Sequence, residues 1–327
     1  MPLTELEQVN AVIGLSMRIE GWPSTLADHG YTLDRIELKF KVPDPQRPGL
    51  SIFINPDLLF VADDRNFSLV VELKSGRFRD LEQLNRFVKV TPWELIRYGG
   101  VPVRDQAQAA GHQICVAELV NEEFLEEYRS EFVRFNHPAS LVSMGRIEIR
   151  SHHGLLADSK LDRTLKNGVS VEGRHRPTRI VPVLPTTNDE NALISSVVNA
   201  VKQLWVNNVR AVTPAEVAKT VFKGLWECFA GEAQRRYLRV AKEVLNDMVE
   251  TEFYSYLRPV ANERDKWALL RLPEKVDDRH RTRHCQQFSS AVRDYQWRRR
   301  SGAAYDKRRA AQFSLEDVSG YSPESDG

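Results

Sequence analysis

The stretch Asn55-Pro-Asp-Leu-Leu-Phe-Val-Ala-Asp-Asp-Arg-Asn-Phe-Ser-Leu-Val-Val-Glu-Leu-Lys74 holds two apolar runs around a polar turn, Asp63-Asp64-Arg65-Asn66. Short runs of this kind, bounded by turn formers, read as strands. Joined as an antiparallel hairpin centred between Asp64 and Arg65, they set Asp57 opposite Glu72. Directly opposed side chains have Cβ atoms about 4.5–5.5 Å apart. Alternation puts Lys74 on the same face as Glu72 and turns Leu73 to the other. Two carboxylates and an ammonium therefore meet at the open end of the hairpin. Packing asks for no such meeting, and facing like charges destabilise the pair unless a cation sits between them. A hard divalent ion suits carboxylate oxygens plus a backbone carbonyl, and Lys74 stands where it could hold a phosphate or assist an attacking water. Metal-assisted phosphodiester hydrolysis uses these parts.

Around this hairpin the chain reads as α/β. Thr4 and Glu7 form a capping box that opens a helix over 5–19, with Leu6, Val9, Ile13 and Met17 as its buried stripe. A strand over 35–42, a break at Pro43, Pro45 and Pro48, and a strand over 50–54 precede the hairpin strands, 58–62 and 67–73. A helix over 79–89 follows, with Leu81, Leu84, Phe87 and Val88 on one face, then a strand over 114–119. Further on, 124–135 reads as helix, and 141–149 and 178–184 as extended. The order helix, strands, helix, strand points to a sheet with a crossover connection. Asp63 and Asp64 read as turn residues.

Pro56-Asp57 followed by Glu72-x-Lys74 on adjacent strands resembles the PD-(D/E)xK nuclease superfamily, over residues 1–120. That resemblance implies a mixed restriction-endonuclease-like sheet flanked by helices. It also implies Asp57 and Glu72 as ligands of Mg2+ (or Mn2+), the Leu73 carbonyl as a third, and Lys74 as the catalytic lysine. Gln83 resembles the first residue of the Gln-x-x-x-Tyr motif of the RecB-like branch, with Phe87 where the tyrosine stands. An acidic residue from the first helix joins the site in many members; Glu20 and Glu37 are both candidates, whereas Glu7 is explained by capping.

Pro182, Pro185 and the polar residues 186–189 read as a boundary, giving a nuclease domain over 1–185, a second domain over 188–275 and a basic segment over 276–327. In the second domain Asn188 is expected to cap a helix reaching about 206. Thr213-Pro-Ala-Glu216 opens another that runs to about 228. A third, over 232–248, carries Arg235, Arg236, Arg239 and Lys242, and short strands follow at 253–256 and 267–270. Three helices and a hairpin resemble a winged helix, whose third helix enters a DNA major groove; such modules also dock proteins.

The whole chain of 327 residues carries a net charge of +1. Yet between Arg279 and Arg309 ten Lys or Arg face only Asp294 and Asp306, a local +8 that suits a polyanionic partner or a solvated helix. Hydrophobic residues at 42% and charged residues at 28% exclude a mostly disordered chain. No apolar run approaches the ~18 residues of a membrane span. The start lacks a signal-peptide pattern, and Cys115, Cys228 and Cys285 are odd in number and far apart. The expected location is cytoplasmic and the expected partners are DNA, with a partner protein or a second copy open, and no membrane. His152-His153, and His280 with His284, lack acidic or cysteine partners for zinc. No Gly-rich phosphate loop or G-x-S-x-G elbow occurs. The reading is a Mg2+-dependent deoxyribonuclease of defence, restriction, transposition or repair. A nucleic-acid-binding or assembly protein without turnover is the alternative, and an RNA-directed nuclease is a third.

Overall fold

The computed structural model describes residues 2–44, 47, 49–103, 105–270 and 278–301, which form two compact units. The first unit comprises the described residues up to Leu184 together with Gly224–Gln234. It opens with helices α1 (Glu5–Leu15) and α2 (Thr25–Asp28). Strands β1 (Thr32–Ile36), β2 (Phe40–Pro43), β3 (Ser51–Ile54), β4 (Leu58–Ala62) and β5 (Phe67–Lys74) follow. Helices α3 (Glu82–Phe87), α4 (Pro92–Gly99) and α5 (Gln106–Gly111) lead to β6 (Gln113–Asn121). Then come α6 (Leu125–Arg134), β7 (Ser140–Met144), β8 (Glu148–His153), α7 (Ser159–Asn167) and β9 (Val169–Ser170).

A mixed seven-stranded sheet runs in the order β1-β4-β5-β6-β7-β8-β9, with β2 and β3 as a separate ribbon. The β4–β5 hairpin has the expected register: Leu58 pairs with Val71 and Ala62 with Phe67. Its turn is a 3-10 segment, Asp63–Arg65, closed by Asn66 at φ 56°, a left-handed conformation that asparagine tolerates. Strands β5, β6 and β7 are mutually parallel, so their C-terminal ends lie along one edge of the sheet. Helices α3, α4 and α6 bury Leu84, Phe87, Leu95, Tyr128 and Phe132 in one core with Leu59, Val70 and Val116 of the strands. Helix α1 packs against β5.

Helix α1 has the expected capping box but ends at Leu15. All eight residues from Gln8 to Leu15 are buried, so it is an internal helix rather than one with a single apolar stripe, and Met17 beyond it is exposed. The expected strand over 35–42 is broken at Glu37, which sits at φ 52°; a left-handed residue cannot continue an extended run. The expected strand over 141–149 is instead the β7–β8 hairpin, reversed at Gly145, whose amide donates to the Glu148 carbonyl at 3.0 Å. The segment 178–184 is no strand, since Pro177, Pro182 and Pro185 punctuate it and prolines cannot donate to a ladder. Asn10 holds it instead: its side chain donates to the Val181 carbonyl at 3.0 Å and accepts from the Val181 amide at 2.7 Å.

The second unit holds Pro185–Lys223 and the described residues from Arg235 onward. Its elements are α8 (Glu190–Val206), β10 (Ala211–Val212), α9 (Pro214–Phe222), α10 (Gly231–Glu250), β11 (Leu257–Pro259), β12 (Trp267–Leu269) and α11 (Asp278–Ser301). Asp189, not Asn188, caps α8, and the Thr213–Glu216 capping box opens α9. That helix stops at Phe222, where Lys223 takes φ 50° and a 3-10 turn carries the chain to Cys228. Residues 253–256 are turns and the strand starts at Leu257, because the Tyr256 and Leu257 amides donate back to the Phe253 carbonyl. The three short strands pair antiparallel in the order β10-β12-β11.

The basic segment, as far as it is described, is helix α11, and it packs in this unit. Phe288 and Tyr295 are fully buried. Phe288 stacks on Trp205 with ring centroids 4.3 Å apart, and Phe253 meets both α11 aromatics edge-on. Arg298 is paired with Asp247 at 2.8 Å and Glu252 at 2.9 Å. Lys307, Arg308 and Arg309 lie outside the described residues. Among the described residues no helix is long and apolar enough to cross a membrane.

Candidate active site

Asp57 closes the β3–β4 connection, and two backbone contacts hold it. Its Oδ2 accepts from the Leu73 amide at 2.6 Å, and its carbonyl accepts from the Glu37 amide at 2.8 Å. It is the Leu73 amide that meets Asp57, and the hairpin register carries Asp57 next to Glu72 near the end of β5. Glu72 is buried, and its two oxygens have different partners. Oε1 accepts from Lys74 Nζ at 2.7 Å, and Oε2 accepts from Gln83 Nε2 at 3.1 Å. Gln83 also donates to the Asn55 carbonyl at 2.9 Å, so α3 ties the two strand ends together. Phe87, one turn along α3, belongs to the core.

Two acidic residues that the sequence reading did not single out belong here. Glu118 on β6 is the parallel neighbour of Glu72 in the ladder. It is 1% exposed, and neither carboxylate oxygen has a hydrogen-bond partner. Its signal in the sequence is a lone glutamate inside an otherwise apolar strand, Val116-Ala-Glu-Leu-Val120. Glu5, in the first turn of α1, adds its charge to those acting on Asp57 and Glu72. Glu20 is exposed beyond the end of α1, and Glu37 lies beside Asp57 through its backbone.

Burial is the main force on these carboxyls. It pushes Asp57 well above the usual carboxylate range, with the Glu72 charge adding to the effect. It lifts Glu72 to about 7 against the opposing pull of Lys74. It lifts Glu118 to about 7 as well, again opposed by Lys74, with Asp80 adding. Burial works to lower the Lys74 ammonium, but Glu72, Glu118 and Asp57 raise it further, so it stays charged. A group of carboxyls this poor in counter-charge is a feature of functional sites.

Beside Lys74 opens a groove of about 590 Å³ lined by Lys74, Arg77, Phe78, Arg79, Gln83 and Tyr128, among others. The Tyr128 hydroxyl donates to the Gly76 and Arg77 carbonyls, and Asn121 donates to the Ser75 carbonyl at 2.9 Å. These bonds pin the backbone of the loop after β5, which carries Arg77, Phe78 and Arg79 beside the candidate site, with the Arg77 side chain 3.8 Å from Glu127.

The donor set fits a hard divalent cation. Such an ion is commonly held by one or two carboxylates, with waters completing its shell, and Asp57, Glu72 and the Leu73 carbonyl supply that number. The partnerless oxygens of Glu118 and of buried Gln8, whose Nε2 donates to the Lys74 carbonyl, are further acceptors around it. Among the described residues no three His, Cys, Asp or Glu side chains converge as a ready cage. Of the histidine pairs, His152 meets Ser143 at 2.8 Å, His153 packs edge-on against Phe132 and His284 packs against Trp205 and Tyr256; the side chain of His280 lies outside the described residues.

Residues 4–166 match the family model of the MJECL32 domain, a span that contains every residue of the site from Glu5 to Glu118. No curated protein and no solved structure matches the chain.

Proposed function

We propose that the chain is a metal-dependent nuclease acting on DNA, with Asp57, Glu72 and Lys74 as its catalytic residues. The observation that carries this reading is the meeting of Asp57, Glu72, Lys74 and Gln83 at the end of β5, beside a groove bearing Arg77 and Arg79. The chain order of α1, β1, β4, β5, a helical crossover and β6 follows the helix, three strands, helix, strand order of the PD-(D/E)xK core. Asp57, Glu72 and the Leu73 carbonyl would hold Mg2+ or Mn2+, which supplies a Lewis acid to a phosphoryl oxygen and lowers the pKa of a bound water. Lys74 offers its charge to the phosphate, Gln83 fixes the rotamer of Glu72, and the Asp57–Leu73 contact keeps the two carboxyls in register. The second unit, with its order of helix, strand, two helices and hairpin, is proposed as a winged-helix-like module that positions the substrate.

Binding without turnover is the second reading. It is favoured by Lys74 already being paired with Glu72 at 2.7 Å. The deciding experiment is purified protein, with and without Mg2+, on supercoiled, linear and single-stranded DNA with RNA alongside. Mg2+-dependent cutting that vanishes in Asp57→Asn and Glu72→Gln supports the nuclease. Tight binding with no cutting under any metal supports the second reading.

A further inference from the structure

The ends of β5, β6 and β7 share one sheet edge: Lys74 is level with Val120, and Asn121 with Met144. The β7–β8 turn, Gly145-Arg146-Ile147, therefore stands on the same edge as Lys74. It is two strand spacings away, roughly 10 Å. The segment after β9 returns to this turn, with the Val171 amide donating to the Ile147 carbonyl at 2.7 Å and the Arg174 amide to the Val171 carbonyl at 3.1 Å. The Arg176 guanidinium donates to the Gly145 carbonyl. These bonds gather Arg146, Arg174, His175 and Arg176 around a pocket of about 310 Å³ whose remaining lining residue is Val171.

Among the described residues no carboxylate forms an ion pair with Arg146, Arg174 or Arg176. Arg176 feels the charge of Glu7, whose side chain is bonded into the Thr4 cap, and the Glu122 carboxylate lies against Gly145 at the base of the turn. Three guanidiniums gathered with no ion-pair partner repel one another, and of the three it is Arg176 that serves the fold by pinning the turn at Gly145. Guanidinium forks match phosphate oxygens. Successive phosphates of one strand are farther apart than the ~3.4 Å rise per nucleotide along the duplex axis, so the pocket lies within a few nucleotides of Lys74.

We propose that this pocket is a phosphate-binding site for the backbone of a DNA strand whose reacting phosphate lies at Lys74. The site takes sugar-phosphate rather than bases, so it adds affinity and register without sequence preference. The proposal rests on the nuclease reading for the position of the strand, but not for binding itself.

The test uses the full chain without divalent ion, so that binding is read apart from cutting. Anisotropy of a labelled 30-mer, duplex and single-stranded, is measured across a salt series for the wild type and for Arg146→Ala/Arg174→Ala. Both arginines are exposed, so melting temperature should hold. The expected result is weaker binding and a log–log salt slope flattened by about 1.8 on duplex DNA, two contacts at about 0.9 each. Arg146→Lys/Arg174→Lys should recover most of the slope. An unchanged affinity and slope overturns the proposal even if the protein cuts DNA; a flattened slope in a protein that never cuts removes the nuclease and leaves the site. Inorganic phosphate that raises the melting temperature of the wild type alone, with DNA affinity equal in both proteins, also overturns it in favour of a free-anion site.

Discussion

At the scale of the residue, Glu118 is the sharpest departure from ordinary packing, since a buried carboxylate with no hydrogen bond opposes folding once it ionises. Its folded pKa of about 7 lies above the ordinary 4.5. Stability linked to this group is therefore full below about pH 4.5 and is lost as the pH rises through about 7. Glu118→Gln, which cannot ionise, should melt higher than the wild type at pH 8, with the gap closing by pH 5. An unpaired buried group costs roughly 1–3 kcal/mol or more, and each kcal/mol moves a unit of this size by about 2–4 °C. Scanning calorimetry at the two pH values checks this, and a gap independent of pH would assign the effect to packing. Lys74 acts in the opposite direction, as the cation that compensates Glu72. Lys74→Ala should lower any DNA cleavage rate by about 10²–10³, the usual loss on removing one electrostatic donor. Lys74→Arg should retain little of that rate, because a planar fork does not reproduce a compact ammonium. Single-turnover kinetics on both variants would show it, and normal cutting by Lys74→Ala would reduce the lysine to surface charge.

At the scale of the element, α11 carries both charge and core. Arg298 is engaged by Asp247 and Glu252, and Arg299 by Glu190, while Arg279, Arg283 and Arg293 are exposed. Phe288→Ala should cost about 3–5 kcal/mol of second-unit stability, the range for losing a buried aromatic ring. Ending the chain at Lys275 should lower that unit's melting temperature. Arg279→Ala/Arg283→Ala/Arg293→Ala should leave melting alone and flatten the DNA salt slope by at most about 2.7, three contacts at about 0.9 each. Thermal melts and the salt series, run side by side, separate the structural role of the helix from its electrostatic one.

At the scale of the whole molecule, the first unit is not one continuous stretch of chain. Strand β1 is an edge of the seven-stranded sheet, and an exposed edge invites pairing with other chains. Here residues from much later cover its end: Ile36 bridges to Phe229, and its carbonyl accepts from the Ala230 amide at 3.1 Å. Lys39 pairs with Glu232 at 2.8 Å. A fragment of residues 1–184 should therefore melt below the first unit of the full chain and self-associate more readily. Light scattering and melting of the fragment beside the full chain provide the check, and a monomeric fragment of undiminished melting temperature would show the strap to be dispensable.

The hairpin from Asp57 to Lys74 was legible from residue types alone, because alternation and turn chemistry are local and a symmetric turn leaves one register. The capping boxes at Thr4 and Thr213 and the crossover to β6 were legible for the same reason, each resting on residues close together in the chain. What only the tertiary structure decided is everything that depends on distant segments meeting. Glu118 reaches Glu72 because β6 pairs with β5 in parallel, and the register of a parallel pair is not written in a turn. Arg146 meets Arg174 and Arg176 because β9 returns beside a hairpin that the apolar pattern had presented as one strand. The arginines of α11 read as contacts for a polyanionic partner or as a solvated helix, yet the helix turns Phe288 and Tyr295 into a core that includes Trp205, some eighty positions away. Charge and periodicity are properties of a segment, whereas burial and counter-charge are properties of what that segment packs against.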